Sequence, residues 1–376
     1  MKSIIVAPDS FKESLTATQV ADAIAEGILA VNQNIEVIKL PIADGGEGTL
    51  DALSGLIPCT KIPSLVTDAL GLPMHNHFLL ASNQRIAMIE VAQSCGLAQI
   101  APNQRDPMQA TSYGVGQQME LAIELGVDEI VLALGGSATN DCGAGLLQAL
   151  GARYRDKNGQ EILVSGGNLC QIKSIDISEL NPRLAKTKIT LLCDVTNPLF
   201  GKAGASHTFG SQKGASAQQI DILENNIQHF AVLLDAKFGK PLSNIEGAGA
   251  AGGIPAVLIA ICNAQLTSGI DYILERSEFS THLQNADLVI TGEGKIDTQS
   301  VDGKALSGVA KQAMKAGVPV IALAGSVTCD VNSLNKIGIT AAFSICNQPL
   351  TLEQAFKDTS ENLKRTAENV TRLLLC

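Results

Sequence analysis

Carboxylates, lysines and glycines recur in one kind of place along this 376-residue chain, directly after short apolar runs. Four such places are Ala7-Pro8-Asp9-Ser10-Phe11-Lys12, Ala43-Asp44-Gly45-Gly46-Glu47-Gly48-Thr49, Cys193-Asp194-Val195-Thr196-Asn197-Pro198 and Gly292-Glu293-Gly294-Lys295-Ile296-Asp297. Asp9, Asp44, Asp194 and Asp297 offer hard oxygen donors, while Lys12, Lys213 and Lys295 offer cations. Phosphoryl transfer asks for this mixture: one or two carboxylates for a magnesium ion, a base for the attacking hydroxyl and cations for the developing charge. Singly, each residue reads as readily as a cap or a surface charge. Together, in glycine-rich turns, they point to that chemistry.

The longest stretch of this kind runs from Ile130 to Ala152. An apolar run, Ile130 to Leu134, has the length of a buried strand, and Gly135-Gly136-Ser137-Ala138-Thr139-Asn140-Asp141 then frees the backbone and supplies residues that cap helices. An apolar helix is expected from Ala144 to Leu150. A strand, a glycine turn and a helix start aim backbone N–H groups and the positive helix end at one point, which suits an oxyanion, most often a phosphate.

Other chemistries fit less well. Gly247-Ala248-Gly249-Ala250-Ala251-Gly252 matches G-x-G-x-x-G, with Asp271 roughly 20 residues on. Yet Lys240-Pro241-Leu242-Ser243-Asn244 is a poor strand and Asp271 sits in a helical pattern, so a glycine-rich helix start that admits another backbone is the better reading. Gly303-Lys304 is followed by Ala305, and position 298 is Thr, so no Walker-type loop forms. His75-x-His77 reads as a solvated strand rather than a metal site, and neither Ser10 nor Ser137 sits in a G-x-S-x-G elbow. The nine cysteines show no C-x-x-C or thiolate/imidazole cluster, which argues for reduced thiols and against structural zinc.

These residues need a scaffold of alternating strands and helices. Strands are expected at Ser3–Ala7, Glu36–Leu40, Phe78–Ala81, Ile86–Glu90, Ile189–Cys193, Asp287–Thr291, Val318–Ala324 and Ala341–Ile345. Phe78–Ala81 and Ile86–Glu90 form a hairpin around Ser82-Asn83-Gln84-Arg85. A helix is expected over Thr16–Ala30, another ending near Gly126, and a third at the C-terminus. The fold class is therefore α/β with two domains. A Rossmann-like, mainly parallel sheet is assembled from 1–66 and 286–376, and a mixed α/β domain, 67–285, is inserted into it. The active site is expected in the interdomain cleft, because ligands of open parallel sheets bind beyond the strand ends. With 45% hydrophobic and 17% charged residues the chain can fill such cores. A net charge of −10 without a basic stripe argues against a nucleic-acid partner. The short apolar run before Pro8-Asp9 is no signal peptide, and Ile254–Cys262 is too short for a membrane, so a cytoplasmic protein is expected. Homo-oligomerisation is left open.

The strand-end stretches quoted above, with Gly135 to Gly145, Gln212-Lys213-Gly214-Ala215 and Gly247 to Gly253, resemble the bacterial type I glycerate kinases along the whole chain and in the same order. Ser211 stands where that family usually has proline and Cys142 where glycine is common. The resemblance implies ATP-dependent phosphorylation of D-glycerate at the 2-hydroxyl, with Mg2+, giving 2-phospho-D-glycerate. On this reading the ATP phosphates lie on the N–H groups of Gly135, Gly136, Ser137, Ala138, Thr139 and Asn140, helped by Lys213. Asp194 is base or metal ligand, Asp297 a second metal ligand, and Asp9 and Asp44 further carboxylates. Lys12 and Arg105 take the substrate carboxylate, and a Gly292-Glu293-Gly294 loop closes the site. The alternatives are phosphorylation at the 3-hydroxyl, an NAD-linked hydroxy-acid oxidoreductase and a non-catalytic two-lobed binding protein.

Overall fold

A computed structural model describes residues 1–82, 85–297 and 304–376. The expected turn at Asn83-Gln84, and the Thr298 and Gly303 positions of the rejected Walker-type pattern, lie outside them. The strands among these residues are β1 (Ser3–Pro8), β2 (Glu36–Lys39), β3 (Cys59–Thr67), β4 (Pro73–Ala81), β5 (Ile86–Glu90), β6 (Glu129–Ala133), β7 (Arg153–Arg155), β8 (Ser174–Asp176), β9 (Lys188–Leu192), β10 (Gln265–Thr267), β11 (Leu288–Ile296), β12 (Val320–Val327) and β13 (Ala341–Ser344). The chain divides into two compact units: 1–44 with 51–57 and 269–376, and 45–50 with 58–268. The joints thus fall near 58 and 269 rather than near 66 and 286. β3 pairs along its whole length with β4, and Gly269–Arg276 packs on the helix Lys304–Ala316 of the first unit.

The first unit is a five-stranded, all-parallel sheet in the order β13-β12-β11-β1-β2. Every residue of β1 is buried, as a strand covered on both faces must be. Val20, Ala23, Ile24, Gly27 and Ile28 form the buried face of the helix Ala17–Val31. The Thr16 side chain and Gln19 close a capping box at its start. This helix lies against Thr359–Leu375, and the contact is close at Gly27, where a Cβ would overlap the Lys364 carbonyl oxygen.

The second unit holds a mixed sheet in the order β10-β9-β6-β5-β4-β3. β5, β6, β9 and β10 run parallel, the expected hairpin is the antiparallel pair β4–β5, and β3 adds a second antiparallel pair at the sheet edge. β7 and β8 make a separate two-stranded ribbon. The core of this unit gathers Phe78, Ile89, Leu132, Leu146, Leu191, Phe230 and Ile254, with Tyr154 edge-on to Phe230. The Gly247–Gly252 match follows no strand: 242–244 is a 3-10 turn, and Gly252 is left-handed (φ 68°) with its Cα against the Thr139 carbonyl. That is the close backbone approach expected of it, not a dinucleotide turn.

Three local expectations change. β11 continues through Gly292-Glu293-Gly294 to Ile296, and β12 through Gly325-Ser326 to Val327, because the two go on pairing, Glu293 opposite Ala324 and Lys295 opposite Ser326. Gly292 permits this, since a Cβ there would overlap the Leu323 carbonyl oxygen. β3 had no sequence signal, being a sheet-edge strand that accommodates Pro63. The helix Thr49–Leu56 was also unforeseen; it carries Asp51 in its first turn.

Replacing Gly27 with Ala tests the helix contact. Alanine gains about 1 kcal/mol of helix propensity, but the overlap is with backbone, which cannot swing away. Thermal and denaturant unfolding should therefore show a net loss of about 1–3 kcal/mol.

Candidate active site

In the first unit, sequence order along the sheet reverses between β1 and β11, the switch point beyond which ligands of open parallel sheets bind. Asp9 follows the last residue of β1, and its N–H donates to the Gly292 carbonyl (2.8 Å). Ile42 N–H donates to the Pro8 carbonyl (2.9 Å), carrying the chain after β2 toward the same end, so Asp44 arrives near Asp9. Glu293 comes from β11. Burial, reinforced by the Asp44 and Glu293 charges, pushes the Asp9 carboxyl up to about 7, against the opposing pull of the Ser10 N–H (2.6 Å) and Lys12.

These groups line a cavity of about 580 Å3. Its lining combines Asp9, Lys12, Glu13, Asp44, Glu293 and Lys295 with the apolar Phe11, Ile345, Leu352, Ala355 and Phe356. Asp297 lies just past β11 and pairs with Lys295 (2.9 Å), so its charge is already partly balanced. The Gly292-Glu293-Gly294 segment reaches this site as paired strand and not as a closing loop.

In the second unit, Glu90, Gly135 and Asp194 all lie at the ends of parallel strands β5, β6 and β9. Glu90 is buried and accepts from Gly48 N–H (3.2 Å) and Leu50 N–H (3.1 Å), so its carboxylate sits on the first turn of Thr49–Leu56. Gly135 N–H donates to the Gly45 carbonyl (3.0 Å), and a Cβ on Gly135 would overlap Gly46 Cα. The glycines of both loops are thus needed for two backbones to pass.

The 135–141 turn is closed on itself to an extent that its sequence did not reveal. Ala138 N–H donates to the Cys95 carbonyl (2.8 Å), and Ser137, Ala138, Thr139 and Asn140 are buried, which leaves Gly136 as the exposed member. The anion expected at the helix start is the protein's own. Asp141 accepts from Ser112 N–H (2.7 Å), Ser112 Oγ (2.8 Å), Gly143 N–H (3.1 Å) and Gly145 N–H (3.2 Å), while burial still raises its carboxyl. Lys213 is 3% exposed, and its Nζ donates to Ser137 Oγ (3.1 Å) and the Thr139 carbonyl (2.6 Å). Burial lowers this ammonium to about 8. Lys213 and the Gly135–Asn140 turn are therefore brought together, with the ammonium buried against the turn.

Arg105 donates from Nε to the Ile100 carbonyl (3.3 Å) and from Nη1 to the Gln212 carbonyl (3.4 Å), tying its loop to the turn that carries Lys213. Cys142 adopts φ 52°, the left-handed region that favours glycine, and its N–H donates to the Gly252 carbonyl (2.9 Å). No group of three or more His, Cys, Asp or Glu among the described residues is disposed to enclose a metal. Sequence reasoning missed Glu90, Asp141 and Ser112. An acid closing a buried strand was the available signal for Glu90. Ser112 and Asp141 are joined only by the tertiary fold.

Two measurements follow from this geometry. Lys213→Met strips the Thr139 carbonyl of its donor and should cost about 1–3 kcal/mol in chemical denaturation. It should also remove a rise in wild-type stability between pH 8 and 10.5, where the unfolded lysine binds a proton that the folded one does not. Asp9 has the opposite linkage: its folded value lies above 3.8, so the associated stability is present at low pH and is lost as pH rises through about 7. Asp9→Asn should accordingly melt higher than wild type at pH 8, by on the order of 2 kcal/mol, and the difference should shrink toward pH 4.

Comparison with known proteins agrees along the full length. The model of the Glycerate kinase family matches residues 4–375. A glycerate kinase from Bacillus subtilis (strain 168) is 45% identical over 367 residues, 98% of this chain and 96% of that protein. A glycerate 2-kinase from Escherichia coli (strain K12) is 42% identical over 371 residues, 99% and 97% of the two chains. A crystal structure provisionally described as glycerate kinase 2 from Salmonella typhimurium LT2 superposes with a TM-score of 0.88 at 44% identity, covering 99% of this chain and 98% of that one. With its strand-end acids, its two α/β units and this likeness, the chain belongs to the glycerate kinase family.

Proposed function

We propose that the protein transfers the terminal phosphoryl group of ATP to the 2-hydroxyl of D-glycerate, forming 2-phospho-D-glycerate and ADP. The choice of hydroxyl is supported by the E. coli relative, which is named a glycerate 2-kinase. The observation that carries the mechanism is Asp9, a carboxylate at the sheet's switch point whose burial and acidic neighbours hold it near 7. A base with that affinity is about half ionised at neutral pH and takes a proton readily. Asp9 accepts the hydroxyl proton as the oxygen attacks the terminal phosphorus. The bond to the ADP oxygen breaks, and Lys12 offsets charge at the glycerate carboxylate.

The carboxylates that raise one another's cost of ionisation around Asp9, with Asp44 open to solvent, fit a hard cation held jointly with phosphate oxygens, as Mg2+ usually is. Asp44 and Glu293 would hold it, and when bound it would neutralise charge on the transferring phosphate. In the second unit, Lys213 and Asp141 keep the 135–141 turn rigid, so that Gly136 and Asp194 stay at the strand edge. An NAD-linked reaction loses its footing with the strandless Gly247–Gly252 turn.

Phosphorus NMR of the product from ATP and D-glycerate tests substrate and position together, and a resonance from the 3-phosphate would overturn the 2-hydroxyl. Asp9→Asn should lower kcat by roughly two to four orders of magnitude and abolish the fall in kcat/KM below about pH 7. Asp194→Asn should lose less, and a larger loss there would move the base to the second unit.

A further inference from the structure

The parallel strands of the second unit have another end. Arg85, Asp128 and Thr187 each stand one residue before a strand, and they lie side by side because Asp128 N–H donates to the Arg85 carbonyl (2.9 Å) and Lys188 N–H to the Asp128 carbonyl (2.9 Å). A cavity of about 280 Å3 opens there, and its lining includes Arg85, Arg183, Lys186 and Asp128 with Ile123 and Val127. β5, β6 and β9 are each five residues long, so about 16 Å of strand separates this row from the opposite strand ends. Neither Glu90 nor Asp194 lines the cavity.

Three cations meet at this cavity, in a chain whose net charge is −10. Two of them are held in place by one helix end. Arg183 Nη1 donates to the carbonyls of Ile123 (3.5 Å) and Glu124 (3.3 Å), at the close of the helix Tyr113–Glu124, and Arg85 Nη2 donates to the Gly126 carbonyl just beyond it. A guanidinium carries five N–H donors in a fixed fork, so both arginines keep donors for a ligand while their positions are set. Lys186 has no hydrogen-bond or ion-pair partner among the described residues. Asp128, 3.6 Å from Arg85, cancels one of the three charges, and the negative end of the helix about half of another. Glu129 adds nothing to the count, being paired with Lys188 (3.0 Å). A positive surplus remains, facing a cavity below the roughly 300–1,000 Å3 of sites for larger ligands.

We infer that this cavity, at the strand starts of the second unit, binds a small phosphate-type dianion, either free inorganic phosphate or a phosphate monoester. Such a group carries close to two negative charges at neutral pH and at least three acceptor oxygens, which matches the positive surplus and the two anchored forks, each able to pair with two oxygens at once. The bound anion ties the turn that carries Arg183 and Lys186 to the residue preceding β5, and so stabilises the sheet from the end opposite Glu90 and Asp194. The site is independent of which molecules give and receive the phosphoryl group in the reaction proposed above.

Thermal unfolding of the intact protein, titrated with inorganic phosphate at constant ionic strength and neutral pH, tests this. A saturable rise in unfolding temperature is expected, and its midpoint concentration should increase about threefold in Lys186→Gln and about tenfold in Arg183→Gln. Arg183→Gln also uncaps the Ile123 and Glu124 carbonyls and starts from a lower temperature, so Lys186→Gln, which breaks no such contact, carries the decision. Lys157→Gln removes the same charge from an exposed position outside the cavity and should leave the midpoint unchanged. Phosphate held in the first unit is common to all three variants and cannot produce the difference. No saturable rise in the wild type, a wild-type midpoint in Lys186→Gln, or an equal increase in Lys157→Gln overturns the site. Glycerol 2-phosphate, titrated in the same way, separates the two sources: saturation at or below the inorganic phosphate midpoint makes a phosphate monoester the occupant, and a weaker response or none makes it the free ion.

Discussion

The parallel pairing of β1 with β2 on one side and β11 on the other is the constraint on which the candidate chemistry depends. A strand flanked by neighbours of opposite sequence direction leaves its last residue at a gap that no crossover helix covers. Asp9 occupies that position. The backbone bonds that hold it there, Asp9 N–H to Gly292 and Ile42 N–H to Pro8, also bring Glu293 and Asp44 into its field. The same pairing thus builds the sheet and concentrates negative charge at one end of it.

That concentration costs folding free energy at neutral pH, because Asp9, set among other acids, binds a proton that the unfolded chain would release. The surrounding sheet offsets the cost: β1 is buried throughout, and β11 and β12 pair for most of their length.

The second unit meets its electrostatic needs internally. Glu90 and Asp141 each place a buried carboxylate on the N–H groups of a helix start, and Lys213 braces the turn between them with two hydrogen bonds. Close backbone passages at Gly135 and Gly252 make this possible, since neither site has room for a Cβ. The result is a rigid strand edge carrying Gly136 and Asp194, with most of its polar groups committed.

Local sequence determined the strand–helix alternation, the parallel first unit, the hairpin of the second and the acid-bearing strand ends, because apolar periodicity and glycine placement act within a few residues. It also carried the family, through motifs such as Asp44-Gly45-Gly46-Glu47-Gly48. Cys142, noted from the sequence as standing where glycine is common, lies at φ 52°, and that geometry is the physical reason for the preference. Only the tertiary structure decided what each polar group faces. Asp141 read only as one of several helix-capping residues and is an internal anion, because Ser112 is brought to it from 29 residues away. Lys213 looked like a phosphate contact and is buried against Thr139. Gly292 looked like a loop and is strand, because whether an extended segment ends or continues is set by the neighbour that pairs with it, here β12, and no stretch of sequence contains its own neighbour.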